Sequence, residues 1–432
     1  MRGSYPAGAG TLAQHRQAGP RDQGAGPAFP AVKICPPRCR LSEDGGVPAN
    51  DPTSTPLREL ALLFLRLGAT AFGGPAAHIS MMRDEVVRRR RWMTDEQFLD
   101  LLGATNLIPG PNSTEMAIHV GWARRRWSGL LVAGVSFIVP AMLMTGALGW
   151  AYARWGKLPQ ATWLSWGVKP VIVAIVAQAL AGLVRTAARN GPLRVLGVGA
   201  TLAAALGVNE LAILFAGGAV MAVWRGRLAR RPPLGQLLPF APLAAAGAMT
   251  AAPVSALGLF WVFLKIGSVL FGSGYVLLAF LRADLVQRLH WLTEGQLIDA
   301  IAAGQVTPGP VFTTATFIGY LVAGPTGALT ATAGIFLPAF VFVAISGPLV
   351  PRLRRSPAAG AFLDGVNVAS LALMAVVAAQ LARSAVVDLP TALVALISFV
   401  LLWRFRLNAT WLVLAGAAMG LAGHLVQASY HR

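Results

Sequence analysis

Directly after a Pro109-Gly110-Pro111 break the chain places Asn112, Ser113, Thr114, Glu115 and His119. An amide, two hydroxyls, a carboxylate and an imidazole gathered this closely suit two kinds of chemistry. Backbone amides freed after the prolines, with the hydroxyls beside them, can replace the water an anion loses. A helix N-terminus adds roughly half a positive charge to that task. Glu115 and His119, one turn apart on the same helix face, can share a proton. As a metal site the Glu-x-x-x-His pair lacks a third ligand nearby, so no metal or other cofactor is expected. No nucleophile–base pair is placed for catalysis, which argues against an enzyme. Two plainer readings stand beside these. Pro-Gly-Pro can be a packing kink, and Asn112 with Glu115 can be a capping box, with Asn112 at the N-cap and Glu115 at N3.

The break is written twice. Residues 94–122 read TDEQFLDLLGATNLIPGPNSTEMAIHVGW, and residues 293–320 read TEGQLIDAIAAGQVTPGPVFTTATFIGY. At one constant offset Gly68 meets Gly267, Phe72 meets Phe271, Gly73 meets Gly272, Arg83 meets Arg282, and Trp92 meets Trp291. Thr94 and Gln97 meet Thr293 and Gln296, Asp100 meets Asp299, and Pro109-Gly110-Pro111 meets Pro308-Gly309-Pro310. Thr114 falls on Thr313, and after one dropped residue Pro140 falls on Pro338. A gapless series of Trp, Gly, Pro and capping residues is the mark of a duplication. The second copy carries Val311, Phe312 and Thr314 where the first has Asn112, Ser113 and Glu115, so the acid is not required by the fold.

The elements that hold these residues are membrane helices. Of 432 residues 55% are hydrophobic and only 12% charged, with a mean hydropathy of +0.60. A soluble chain carries about twice that charged share. Residues 127–153 contain no charge before Arg154, so the chain is an integral, multi-pass membrane protein. The net charge of +19 sits in short arginine clusters between apolar runs, as in cytoplasmic loops, and does not suggest nucleic acid. Residues 1–56 have no apolar run and read as a disordered basic tail. The two cysteines, Cys35 and Cys39, lie there without a zinc set.

Thr94 and Gln97 form a capping box, and the helix they open runs to about residue 107, roughly 13 residues or about 20 Å. A hydrocarbon core is about 30 Å thick, so this helix cannot span alone. The following helix stops at the arginines 124–126. Arginines 88–91 precede the pair, and basic clusters on both sides favour a re-entrant hairpin. Further apolar segments fall near 128–152, 168–187, 194–208, 210–224, 236–257, 326–350, 364–384, 389–403 and 410–427. The fold class expected is all-α and polytopic, with about 10–12 membrane segments. It contains two homologous repeats, 57–232 and 236–432, joined at Pro232-Pro233, each with a Pro-Gly-Pro-broken re-entrant pair. Arg83 and the run 88–91 are matched only by Arg282 and Arg288. Arg154 and Lys157 in turn are matched by Arg352, Arg354 and Arg355. That alternation favours inverted repeats.

Phe72-Gly-Gly-Pro-Ala-Ala-His78-Ile79, Asn106-Leu-Ile-Pro-Gly-Pro-Asn-Ser-Thr-Glu115, Phe271-Gly-Ser-Gly and Thr307-Pro-Gly-Pro310 resemble the CHR family of chromate ion transporters, over nearly all of the chain beyond residue 57. The resemblance implies a protein of the bacterial cytoplasmic (inner) membrane that exports chromate, with the proton-motive force as energy source, and so confers resistance. Sulfate is nearly the same dianion and remains an alternative substrate, as does another oxyanion. A membrane-embedded enzyme is the remote alternative. The lipid bilayer and the anion are the expected partners, with a homodimer possible. Substrate contacts are expected from Gly73, Gly74, Asn112, Ser113 and Thr114 in the first copy and from Gly272 and Thr313 in the second. Arg66 and Lys265 are repeat-equivalent cations inside apolar segments, and either attract the dianion or snorkel to the interface. Glu115 and His119 are the expected proton-coupling residues. His78 is a site residue or an interface histidine. Asp100 and Asp299 are expected to pair with arginines such as Arg83 and Arg282.

Overall fold

The computed structural model describes residues 55–72, 74–156, 159–228, 255–271, 276–354, 357–405, 407 and 409–430. Gly73, Gly272, Lys157, Arg355, Pro232-Pro233, both cysteines, all but the last two residues of the expected tail and nearly all of the segment 236–257 lie outside them. Fourteen α-helices and no strands occur among the described residues. The first set is α1 (Leu57–Thr70), α2 (Gly74–Arg83), α3 (Asp95–Thr105), α4 (Asn112–Trp155), α5 (Pro159–Ala187), α6 (Gly191–Ala205) and α7 (Glu210–Leu228). The second is α8 (Ala256–Val269), α9 (Leu277–Leu281), α10 (Glu294–Val306), α11 (Thr314–Arg354), α12 (Pro357–Ala385), α13 (Leu389–Phe405) and α14 (Ala409–Tyr430). The two sets match in order, element by element.

Local sequence explains the shared features. Thr94 accepts from the Gln97 amide at 3.2 Å while the Gln97 side chain accepts from the Thr94 amide at 3.0 Å. Thr293 and Gln296 repeat the box at 3.2 and 2.9 Å. Both copies widen into a π-helical turn, Asp84–Arg89 and Arg282–Arg288. Each then passes through a left-handed residue, Arg91 (φ 52°) or His290 (φ 53°). Arg83 meets Asp95 at 2.8 Å, and its equivalent Arg282 meets Glu294 at 2.5 Å. The bond from Arg83 holds the Asp95 carboxyl below its usual range.

The helix that follows the first break does stop at the arginine cluster. Within α4, Arg125 (φ −144°, ψ 24°) and Arg126 (φ 50°, ψ −131°) leave helical geometry. The limbs 112–124 and 127–155 then fold against each other. Gly121 and Gly129 pack so closely that a Cβ on either would run into the other's carbonyl. Gly319 and Gly327 do the same in α11, around Ala323 (φ −143°) and Gly324 (φ 64°). Arg124 is buried: it donates to Thr55 Oγ1 and to the Trp92 carbonyl, and lies over the Trp92 ring.

Packing is intertwined. Helix α1 lies on α4, α8 on α11, and α4 meets α11. Helix α5 packs on α13 and α14 of the second set, and α12 packs on α6 and α7 of the first. Glycines set both close approaches. Gly167 faces Gly416 and Gly420, and Gly365 faces Gly217. Among the described residues four helical stretches are long and apolar enough to cross a membrane, within Asn112–Trp155, Ser165–Ala187, Val311–Ser346 and Ala359–Ala385. On the second limb of α4 exposed Leu131, Val135 and Leu143 are flanked by exposed Trp127 and Trp150. Those tryptophans stand about 35 Å apart along the helix, the spacing of two membrane interfaces.

Candidate functional site

The two breaks reach into each other's repeat. The Gly110 amide donates to the Leu270 carbonyl at 2.8 Å, and the Gly309 amide donates to the Ala71 carbonyl at 2.9 Å. Ala71 and Leu270 are themselves equivalent, each the extended residue that ends the first helix of its repeat. Gly110 (φ 144°) and Gly309 (φ 94°) hold backbone that side chains resist. His78 adds a bond found in the first copy alone: its Nε2 lies 3.0 Å from the Ala71 carbonyl. A carbonyl can only accept, so Nε2 carries the proton. The buried Nδ1 is left with no partner among the described residues.

Beyond the first break, Pro111 rather than Asn112 is the N-cap, and no side chain caps the helix. The capping box expected from Asn112 and Glu115 does not form. Pro111 is itself extended (φ −79°, ψ 94°) and its carbonyl already accepts from the Glu115 amide at 2.9 Å, so the helix is entered one residue earlier than the box requires. Asn112 instead donates to Asn106 Oδ1 at 2.9 Å. Glu115 folds back beneath Gly110, where a Cβ on the glycine would collide with Glu115 Oε1. It is fully buried, and among the described residues neither of its oxygens has a hydrogen-bond partner. Thr114 Oγ1 and His119 Nε2 are buried and unpartnered in the same sense, and Ser113 is buried beside them. The second copy is closed by contrast. Thr313 donates to the Pro310 carbonyl at 2.9 Å and Thr314 to the Val311 carbonyl at 2.8 Å.

A cavity of about 610 Å³ opens beside the first break. Asn106 and Asn112 line it from the break, Pro75 from the turn after Gly74, and Phe271 and Val276 from the matching turn of the second repeat. Gln178 on α5 and Asn367 and Ser370 on α12 supply further polar groups. These last three carry no motif and were missed from sequence. The available signal was a polar residue within an otherwise apolar span.

The other expected site residues are placed elsewhere. Arg66 is 63% exposed and lies 3.8 Å from Glu85, which also binds Arg89 at 2.9 Å and Arg90. Lys265 holds Asp284 at 2.5 Å, and Arg288 joins it at 2.8 Å. Glu85 and Asp284 are repeat-equivalent, so the ion-pair cluster is duplicated as the cations are. Asp299 takes a hydroxyl bond from Tyr152 at 2.8 Å and faces Lys169 at 4.0 Å, not an arginine. Among the described residues no group of three His, Cys, Asp or Glu could hold a metal.

Comparison with known proteins agrees with the duplication. The sequence model of the chromate transporter family matches residues 58–223 and again 257–421. The chain is 37% identical over 386 residues to a chromate transport protein of Cupriavidus metallidurans, covering 85% of this chain and 93% of that one. It is 33% identical over 387 residues to a chromate transport protein of Pseudomonas aeruginosa, covering 85% and 92%. To a probable chromate transport protein of Synechococcus elongatus it is 30% identical over 361 residues, covering 81% and 90%. No solved structure matches.

Proposed function

The chain belongs to the chromate transporter family, and on that premise we propose that it carries chromate out of the cell across the bacterial cytoplasmic membrane, driven by the proton-motive force. The observation that carries the reading is the cavity at the first break, which sets amide and hydroxyl side chains among apolar walls. A dianion that leaves water needs donors in place of its hydration shell. The side-chain amides of Asn112, Gln178 and Asn367 and the hydroxyl of Ser370 offer them without metal or cofactor. The N-terminal end of α4 adds its backbone amides and partial charge, with Ser113 and Thr114 in its first turn. Gly74, at φ 79°, lets the backbone turn beside Pro75 of the cavity wall, while Gly73 and Gly272 lie outside the described residues and are carried as contacts on the sequence alone. Thr313 supports the equivalent turn of the second repeat. Arg66 and Lys265, each held by an acid, act on the dianion at a distance rather than by contact.

Glu115 and His119 are the coupling groups in this reading. They are buried and one turn apart, and among the described residues both oxygens of Glu115 and Nε2 of His119 lack a partner, whereas Thr314, which stands in place of Glu115 in the second copy, is satisfied. A proton gained or lost on Glu115 changes the charge directly under Gly110, the residue whose amide ties the first break to Leu270. Export against a gradient would then follow from coupling protonation to the break. The breaks are re-entrant and the repeats inverted in this account, supported by the alternating basic loops. Reporter fusions at Arg90 and Arg288 test that arrangement, and the same compartment for both rules out inversion.

Sulfate is the second reading, because donors alone serve any tetrahedral dianion. Expression in a chromate-sensitive host separates the two. Protection that excess sulfate does not abolish supports chromate, whereas altered sulfur uptake without protection supports sulfate.

A further inference from the structure

Arg189 and Asp364 meet at the wall of the cavity. Arg189 follows the end of α5 and Asp364 lies on α12, so the pair bridges the two repeats at 2.7 Å from Nη2 to Oδ1. Among the described residues lining the cavity, Arg189 is the one cation and Asp364 the one acid. The pair is not sealed in the protein: the Arg189 side chain is 59% exposed and that of Asp364 26%. One turn along α12 from Asp364, Asn367 lines the same cavity, followed by Ser370, whose buried Oγ has no partner among the described residues.

We propose that Arg189 is the residue that captures the oxyanion and that Asp364 is its internal stand-in, occupying the guanidinium until the substrate displaces it. A guanidinium offers two parallel N–H donors to two oxygens of a tetrahedral dianion. The carboxylate contact it would give up uses one. Displacement is therefore a ligand exchange on Arg189, in which no net charge needs to be left unpaired at the cation. Asp364, freed but still close, repels the bound dianion and aids its release. That sets affinity below what Arg189 alone would give, as a carrier that must let go requires. Asn367 and Ser370 lie where the remaining oxygens of the anion would find donors.

This inference rests on the oxyanion-transport reading, and the test separates the two. Binding of chromate, with sulfate in parallel, is measured on the purified full chain and its flux in membrane vesicles. Arg189→Gln should weaken chromate binding on the order of 10-fold or more, with Arg189→Lys recovering part of it. Asp364→Asn should act in the opposite direction, tightening binding several-fold while slowing turnover. The double variant should bind as weakly as Arg189→Gln alone. A pair that merely ties α5 to α12 predicts something else: both single variants lose stability and weaken binding together. Thermal unfolding of each variant is recorded alongside, and Asp364→Ser serves as a second substitution should Asp364→Asn fail to fold. Wild-type binding with Asp364 variants that weaken it or leave it unchanged overturns this inference alone. Wild-type protein that binds neither chromate nor sulfate overturns the inference and the transport reading together.

Discussion

Gly110 donates its amide to the carbonyl of Leu270 at 2.8 Å, joining the Pro-Gly-Pro break of one repeat to the first helix of the other. Gly309 and Ala71 return the same bond at 2.9 Å. A break at the centre of an apolar fold exposes backbone groups that lipid cannot satisfy. Here each copy supplies the partner its duplicate lacks, so neither break is complete without the other.

The glycines of this exchange should tolerate no side chain. A Cβ at Gly110 meets Glu115, and one at Gly309 approaches Ala141 Cβ to 2.7 Å and the Gly68 carbonyl to 2.9 Å, both with positive φ. Gly110→Ala and Gly309→Ala are expected to cost about 2 kcal/mol or more. Gly207 also has positive φ, 79°, but nothing lies within 4 Å of its Cβ position. Gly207→Ala should cost about 1 kcal/mol, the backbone component alone. Thermal unfolding in detergent ranks the three, and equal losses would remove the packing argument.

Arg126 sits at φ 50° in the turn of α4 where the equivalent turn of α11 has Gly324. Arg126→Gly should relieve strain and raise stability by about 1 kcal/mol. A lowered unfolding temperature would mean that the contact of Arg126 with the Trp122 ring outweighs the backbone.

Arg124 is the opposite case within the same cluster. It is buried, and its donors are taken by Thr55 and the Trp92 carbonyl. Arg124→Ala should destabilise by roughly 2–3 kcal/mol, and Arg124→Lys should recover only part of that. Full recovery with lysine would show that charge rather than fork geometry is what the site needs.

Much of the scaffold is legible in the sequence itself. Thr94 with Gln97 and Thr293 with Gln296 carry their helix starts in two residue types at one spacing, and such local signals need no tertiary partner. The Pro-Gly-Pro breaks were legible for the same reason. Asn112 and Glu115 carry an equally good capping pattern, yet Pro111 takes the cap and Glu115 turns inward beneath Gly110. The bond from Gly110 to Leu270 and the pair of Arg189 with Asp364 were not legible. Each joins residues far apart in the chain, the first through the packing of α4 and α8 on α11 and the second through that of α5 on α12. Asp299 illustrates the same limit, since its partners Tyr152 and Lys169 come from α4 and α5 of the other copy.

Glu115 should carry the pH dependence of transport. Glu115→Gln keeps the size and removes the ionisation, so flux should lose its response to a proton gradient while chromate still binds. His119→Gln should weaken the response without abolishing it. A pH profile unchanged by Glu115→Gln would remove Glu115 from the coupling step.

The cavity at the first break is expected to move chromate at the expense of a proton gradient. Radiochromate uptake into inverted membrane vesicles tests it directly, with and without an imposed proton gradient and with sulfate as competitor. Accumulation should require the gradient, collapse on adding an uncoupler, and fall sharply in Arg189→Gln. Uptake that only equilibrates and ignores the uncoupler, or no chromate uptake at all, would contradict it.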